Sequence, residues 1–393
     1  MSQPDLYTHD EPGAPTLNST LGSLCEVLDT VLVNGFNVRA CSITVASGVA
    51  TVVASSHGYQ PHRVIGIQGA AVSALNGRKV VTIVDSNTFT FDATGVPDGA
   101  VGGSTTCRRP GLGWAIKFSA TNRRIYERPG AATTTMLLYV DENGRSNTSN
   151  NAVVRGLETA TSIDAHGKAF PSTDRYAFCG AWSSTARVWS VVGDDSVFYM
   201  HTADYTRAEY GSYGGPRGMW MFGDMRPALS YDTHHCIVSA HVAPGAIGYG
   251  PSITNSVTIT SSSGTHSNLS TNVCRAHSQI GDSVGAHVVT PYAAINDSGV
   301  PSLPLPADFN TSDIAISAPG SAVVRTLVSD VPSVIRGRLP GLATVLTSTV
   351  SSTGADLFDG ETAALMTPNG PIVLIRMHHT AVIAYSLSPY GWE

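Results

Sequence analysis

Short runs of alternating apolar and polar residues, each closed by a turn residue, constrain this chain more than any other feature. They are clearest between Cys41 and Cys107. Ser42-Ile43-Thr44-Val45 and Val49-Ala50-Thr51-Val52-Val53 flank a Ser47-Gly48 turn. Arg63 to Ile67 reads as a further strand, Asn76-Gly77 as a tight turn. Val80 to Val84 and Thr88 to Phe91 read as a hairpin across Asp85-Ser86-Asn87. A side-chain period of two is the signature of strands with one face in a core, and short strands at this spacing predict a small β-sandwich.

A different period precedes this region. Leu21, Leu24, Cys25, Leu28, Val31 and Leu32 recur at spacings of three and four, after Asn18-Ser19-Thr20 as candidate caps and before Gly35 as a stop. That pattern predicts one amphipathic helix. Residues 1–17, rich in Pro, Asp and Gly, predict an extended arm, a mobile terminus or a strap onto a neighbour. After Pro110 the chain again reads as strands. Met136 to Val140, Tyr176 to Trp182, Ala186 to Val192 and Ser196 to His201 are the clearest, the last two joined across Gly193-Asp194-Asp195. Residues 203–234 and 243–272 predict long polar loops, and Pro301 to Pro306 an extended, partly polyproline-like segment. The expected fold is mainly β: β-sandwich-type domains with an N-terminal helix. The arm is 1–17 and the main β-rich domain is 18–40 plus 108–393, with 300–330 as an alternative subdomain boundary. Residues 41–107 form an inserted sandwich.

Composition narrows the roles such a fold can take. Of 393 residues only 13% are charged, while 42% are hydrophobic, against about 25% charged in typical soluble domains. A surface built from Ser, Thr, Asn and Gly suits sheets that meet other subunits, so a homo-oligomer is expected. The formal net charge is −6, and basic residues cluster only as pairs such as Arg108-Arg109 and Arg123-Arg124, which argues against nucleic acid as a partner. No run approaches the length of a membrane helix, so no membrane insertion is expected. The start, Met-Ser-Gln-Pro-Asp, has no signal-peptide pattern, and folding in a cytoplasm is expected. The six cysteines form no CxxC pair. Buried free thiols are therefore expected; Cys41 and Cys107 bracket the inserted module, whose meeting ends could bring them near each other.

Motifs for chemistry are weak. Gly281-Asp282-Ser283-Val284-Gly285 matches G-x-S-x-G, but Ala286 to Pro291 reads as a strand, whereas a nucleophile elbow needs a helix there. Asn296-Asp297-Ser298-Gly299 reads as an ordinary turn. His234 and His235 would point to opposite faces of a strand, His235 and His241 would stand about 20 Å apart, and His378-His379 fails as the first pair does. A metal site would have to be assembled from separate segments, such as His201, Asp204 and His235. Asp194, Asp195, Asp204, Glu209 and Asp224 supply carboxylates, mostly in turn contexts. Tyr199, Tyr205, Tyr210, Tyr213 and Trp220 are the candidate interface residues, since Tyr and Trp are enriched at such surfaces. No catalytic residue, metal or cofactor is expected.

Several stretches, in order, resemble a family of structural proteins from tailed-phage particles: Asp10 to Pro15, Leu21 to Asp29, Leu32 to Phe36, Gly113-Trp114, Phe118 to Asn122, Val188-Trp189, Phe222-Gly223-Asp224 and Arg336 to Leu342. His57-Gly58-Tyr59, Leu75-Asn76-Gly77 and Asn87 to Phe91 resemble an immunoglobulin-like module that recurs in phage proteins. The resemblance implies a virion subunit of the tail, neck, collar or baseplate. It would be assembled in the host cytoplasm, with other virion proteins (tail, neck or capsid) as partners. The alternatives are a tail module binding a receptor or host surface glycan, a head decoration protein, or a glycan-cleaving tail enzyme. Within this pattern Phe222-Gly223-Asp224 reads as a turn with Asp224 on local amides, and Arg338-Leu339-Pro340-Gly341 as a type II turn.

Overall fold

A computed structural model describes residues 3–128, 130, 134–144, 151–179, 184–203, 216–241, 260–261, 264–265, 270–274, 284–289, 323–330, 334–345, 362–367, 370–377, 381–388 and 392. The chain is mainly β, arranged in several antiparallel sheets with one short N-terminal helix.

The N-terminal arm is not a loose end. Strand β1 (Asp5–Thr8) pairs antiparallel with a later strand, β16 (Trp189–Gly193), and all four of its residues are buried. Asp5, Leu6 and Tyr7 lie in the interior, so the segment straps onto its own chain rather than onto a neighbour.

The helix is present but changes character halfway. An α-helix, α1 (Ser23–Leu28), continues as a π-helical turn, Asp29–Asn34, ending at Gly35 as the sequence suggests. Leu24, Cys25, Val27, Leu28, Val31 and Leu32 are buried, whereas Leu21 precedes the helix and is exposed. The expected cap is replaced. Glu142, from just beyond strand β13 (Leu137–Asp141), accepts from the amides of Gly22 (3.0 Å) and Cys25 (2.7 Å). Asn18 accepts locally, from Thr20 N at 2.8 Å. A buried carboxylate thus satisfies amides that a helix start leaves unpaired.

Strands β2 (Phe36–Ala40), β3 (Ser42–Ala46), β4 (Val49–Val53), β5 (Val64–Gln68), β6 (Gly77–Val80), β7 (Thr82–Ile83), β8 (Thr88–Asp92), β9 (Gly99–Val101) and β10 (Thr106–Arg109) follow. They make a four-stranded sheet, β2-β10-β5-β6, and a five-stranded sheet, β7-β8-β4-β3-β9. Ile43, Val45, Ala50, Val52, Ile65, Ile67, Phe89, Phe91 and Cys107 fill the space between them as a separate core. The 77–83 stretch serves both sheets: β6 pairs with β5 and β7 with β8. The first and last strands, β2 and β10, pair with each other, so the chain enters and leaves this sandwich side by side.

In the body, β11 (Ala115–Ala120), β12 (Arg123–Glu127), β13, β14 (Asn151–Ala160) and β15 (His166–Phe178) form an antiparallel meander. A second run is built from β16, β17 (Val197–Ala203), β18 (Pro216–Asp224), the short β19 (Arg226–Pro227) and β20 (Cys236–His241). Here β16, β17, β18 and β20 pair in that order, with β1 on the outside of β16. Strand β18 corrects the expectation of a long loop at 203–234. Residues on one face of this run, Val191, Phe198, Met200, Trp220 and Phe222, pack with the helix and with Val140, Val154 and Phe170 of the meander. On its other face, Val192, Tyr199, Met221 and Ile237 pack with Leu339, Leu342, Val373, Ile375, Tyr385 and Trp392. The run is thus the middle layer of three. A strand buried on both faces loses its alternation.

Beyond β20 the described strands are Thr260–Ser261, Gly264–Thr265, Ser270–Cys274, Val284–Val289, Val323–Asp330, Val334–Val345, Thr362–Thr367, Gly370–Met377 and Ala381–Ser386. Gly281 to Ser283, Asn296 to Gly299, Pro301 to Pro306 and His378-His379 lie outside the described residues. The Arg338-to-Gly341 stretch is part of the long strand Val334–Val345 and not a free turn. Its ladder jumps from Leu327↔Arg338 to Arg325↔Ala343, so Leu339 to Leu342 bulge out and insert Leu339 and Leu342 into the core. Gly341 makes this possible: at φ +68° a Cβ would collide with the Trp392 ring.

Candidate interaction surface

The structure separates the sequence-predicted interface residues. Tyr199 lies in β17, wholly buried, donating to Pro340 O at 2.8 Å with its ring 5.0 Å from that of Tyr385. Trp220 in β18 is equally buried, edge-on to Phe198 at 5.0 Å. These two anchor the core of their own chain, which corrects their assignment as interface residues. The reason is that both belong to the middle layer. Tyr205, Tyr210 and Tyr213 lie outside the described residues.

The groups considered for chemistry are largely engaged in holding the fold. Asp194 closes the β16–β17 turn as expected, accepting from Ser196 N (2.7 Å), Ser196 Oγ (2.7 Å) and Val197 N (3.0 Å), and its burial raises its pKa. Asp224 does not bond local amides. Its partners come from a distant segment: Arg128 at 2.6 Å, Thr134 N at 2.7 Å and Thr134 Oγ1 at 2.6 Å. The Arg128 guanidinium in turn stacks 5.3 Å from Phe222 and 5.6 Å from Trp114. His201 sits within the sheet, 2.8 Å from Tyr385 Oη, and burial pushes its pKa down to about 3. His235 stands at the foot of β20, 3.9 Å from Asp224. His234 and His235 bond the Asp232 turn. Asp204 and Glu209 are outside the described residues, so the assembled site of His201, Asp204 and His235 is not defined. Among the described residues no group of three His, Cys, Asp or Glu is placed to hold a metal ion, and no helix is long and apolar enough to cross a membrane.

A surface that sequence reading did not single out stands apart: the outer face of the five-stranded sheet. The register aligns Val84, Thr88, Val53 and Ser42 in one row. Thr82, Thr90, Thr51, Thr44 and Ala100 form the next, and Asp92, Val49 and Ala46 a third. Val84 is 60% exposed, Val53 50% and Val49 45%. Outward positions of antiparallel strands ordinarily carry charge as well as polarity. In these three rows Asp92 is the lone charge, held below the ordinary carboxylate range by the Thr94 hydroxyl and amide. Three five-residue strands and two shorter edge strands, about 4.8 Å apart, make a face on the order of 300 Å². That is well under half of the roughly 800 Å² that each partner buries in a standard interface.

This face is held firmly to the body through a buried ionic cluster. Arg109, at the end of β10, has no exposed surface and reaches Glu11 (2.6 Å), Asp5 (3.0 Å), Leu6 O (2.6 Å) and Val64 O (2.5 Å). Its guanidinium lies 4.6 Å over the Tyr7 ring, whose hydroxyl donates to Pro110 O at 2.7 Å. Burial alone would lower the Arg109 pKa, but Asp5 and Glu11 outweigh it and hold it above its ordinary value. Arg63 approaches Glu11 at 3.4 Å and Arg78 approaches Asp5 at 3.8 Å, both from the sandwich. The arm is therefore the seam between sandwich and body.

No family model and no curated protein matches this chain.

Proposed function

We propose that the chain is a structural subunit of a tailed-phage particle, acting by oligomeric assembly and presenting the sandwich as a contact surface. The observation that carries this reading is the β-branched outer face of the five-stranded sheet, with Asp92 as its lone charge, displayed on a module fixed to the body by Arg109, Asp5 and Glu11. The ordered motifs resembling tailed-phage structural proteins supply the setting, and the low charge of 13% supports subunits packed against one another. No catalytic step is part of the proposal. Such a subunit would fold in the host cytoplasm and reside in the virion, with copies of itself and other virion proteins as partners.

The test is the mass of the purified chain by light scattering, alone and after incubation with incomplete phage particles. A discrete oligomer or attachment to particles is expected. A stable monomer that leaves the particles bare overturns the proposal. Thr51→Lys places a charge at the centre of the face and is expected to weaken attachment at least tenfold while leaving the unfolding midpoint in place.

The small size of the face supports one second reading, a weak contact repeated over many copies to bind a host surface glycan. A glycan array probed with the full-length chain and with Thr51→Lys separates the two. Binding that the lysine abolishes, with no particle attachment, moves the face from assembly to receptor recognition.

A further inference from the structure

The sandwich closes where two cysteines meet. The amide of Cys41, just past β2, donates to Thr105 O at 3.0 Å, while Ala40 pairs with Thr106 and Arg39 with Cys107 in the adjoining ladder. Both cysteines pack in the core of the sandwich, Cys107 fully buried and Cys41 partly exposed. The register sets Cys41 and Cys107 two residues apart across neighbouring strands, and the Tyr59 hydroxyl donates to Cys107 Sγ at 3.5 Å. Cys25, Cys41, Cys107, Cys179 and Cys236 are free thiols. Of the others, Cys25 lies by Glu142, Cys179 bonds its local backbone, and Cys236 lies by Arg128.

We propose that Cys41 and Cys107 are a modification site, forming a disulfide that staples the base of the sandwich when the folded chain leaves reducing surroundings for oxidising ones. The oxidant is a small-molecule disulfide. Cys41, the thiol that solvent reaches, attacks one of its sulfurs and releases the first small thiol. Cys107 then attacks Cys41 Sγ and releases the second. Two protein thiols are oxidised to one disulfide, the small disulfide is reduced to two thiols, and the two thiol protons leave with them. The crosslink closes the loop 41–107, and constraining a long loop in the unfolded chain stabilises the fold.

The experiment incubates the full-length reduced chain with oxidised glutathione, alkylates the remaining thiols, and maps peptides without reduction. A linked Cys41–Cys107 peptide, a loss of about 2 Da from the intact mass and a rise of several degrees in Tm are expected. Cys41→Ser, at the partly exposed position, is expected to keep the Tm of the reduced chain and to lose both the link and the rise. A chain in which Cys41 remains glutathionylated, or in which the Tm rise survives Cys41→Ser, overturns the proposal.

Discussion

Arg109 is satisfied only because Asp5 and Glu11 come to it from the far end of the chain. Removing one partner of a buried ion pair leaves an uncompensated charge, so Arg109→Met is expected to cost about 3–5 kcal/mol in urea unfolding. His201 gives a pH dependence. Its pKa falls from 6.5 to about 3 on folding, so the unfolded chain binds the proton first as pH drops. The stability from keeping this ring neutral is complete above pH 6.5 and is lost as pH falls towards 3. Between pH 7 and pH 5 the loss from this one group is about 2 kcal/mol. Denaturant titrations of wild type and His201→Gln at both values check it, with a smaller pH effect expected in the variant. At Gly341 an added methyl would run into the Trp392 ring, with φ at +68°. Gly341→Ala should therefore lower stability by about 2 kcal/mol or more.

Among the elements, the α1 start depends on Glu142 more than on its own sequence. Glu142→Ala is expected to cost about 1–2 kcal/mol, the range of a lost helix cap, read as a drop in the unfolding midpoint. No local pattern could reveal that partner, because it arrives from the end of β13, whereas Gly35 as a stop was legible from neighbours alone. Strands β3, β4 and β8 were legible for a similar reason: Ile43, Val45, Ala50, Val52, Phe89 and Phe91 face one core and their neighbours face out. Strand β16 is buried at every position and has no such alternation. The same middle layer made Tyr199 and Trp220 resemble interface anchors when they are core. Strand β18 was masked further by the Gly- and Tyr-rich sequence before it. The contact face itself was implicit in the outward residues of β3, β4 and β8, but only the register places Thr44, Thr51 and Thr90 in one row.

For the whole molecule, the seam decides how sandwich and body respond together. The sandwich has its own core, and calorimetry on two cores joined only by a tether would give two transitions. With Arg109, Arg63 and Arg78 all reaching residues of the arm, one cooperative transition is expected in the wild type. Arg109→Met is expected to split it, the sandwich melting apart from the body.

Because β2 and β10 run side by side, a chain of this kind could gain, lose or exchange its outer module by joining two neighbouring points, without rerouting the body. The ionic seam restricts where such a splice can fall. A cut between Ala40 and Thr106 keeps Arg109 opposite Asp5 and Glu11, so one cation stays with the two carboxylates although Arg63 and Arg78 leave with the module. A cut outside Phe36 and Arg109 strands two buried carboxylates without their cation. The heritable unit of exchange is therefore shorter than the folded sandwich, and its edges are set by one arginine.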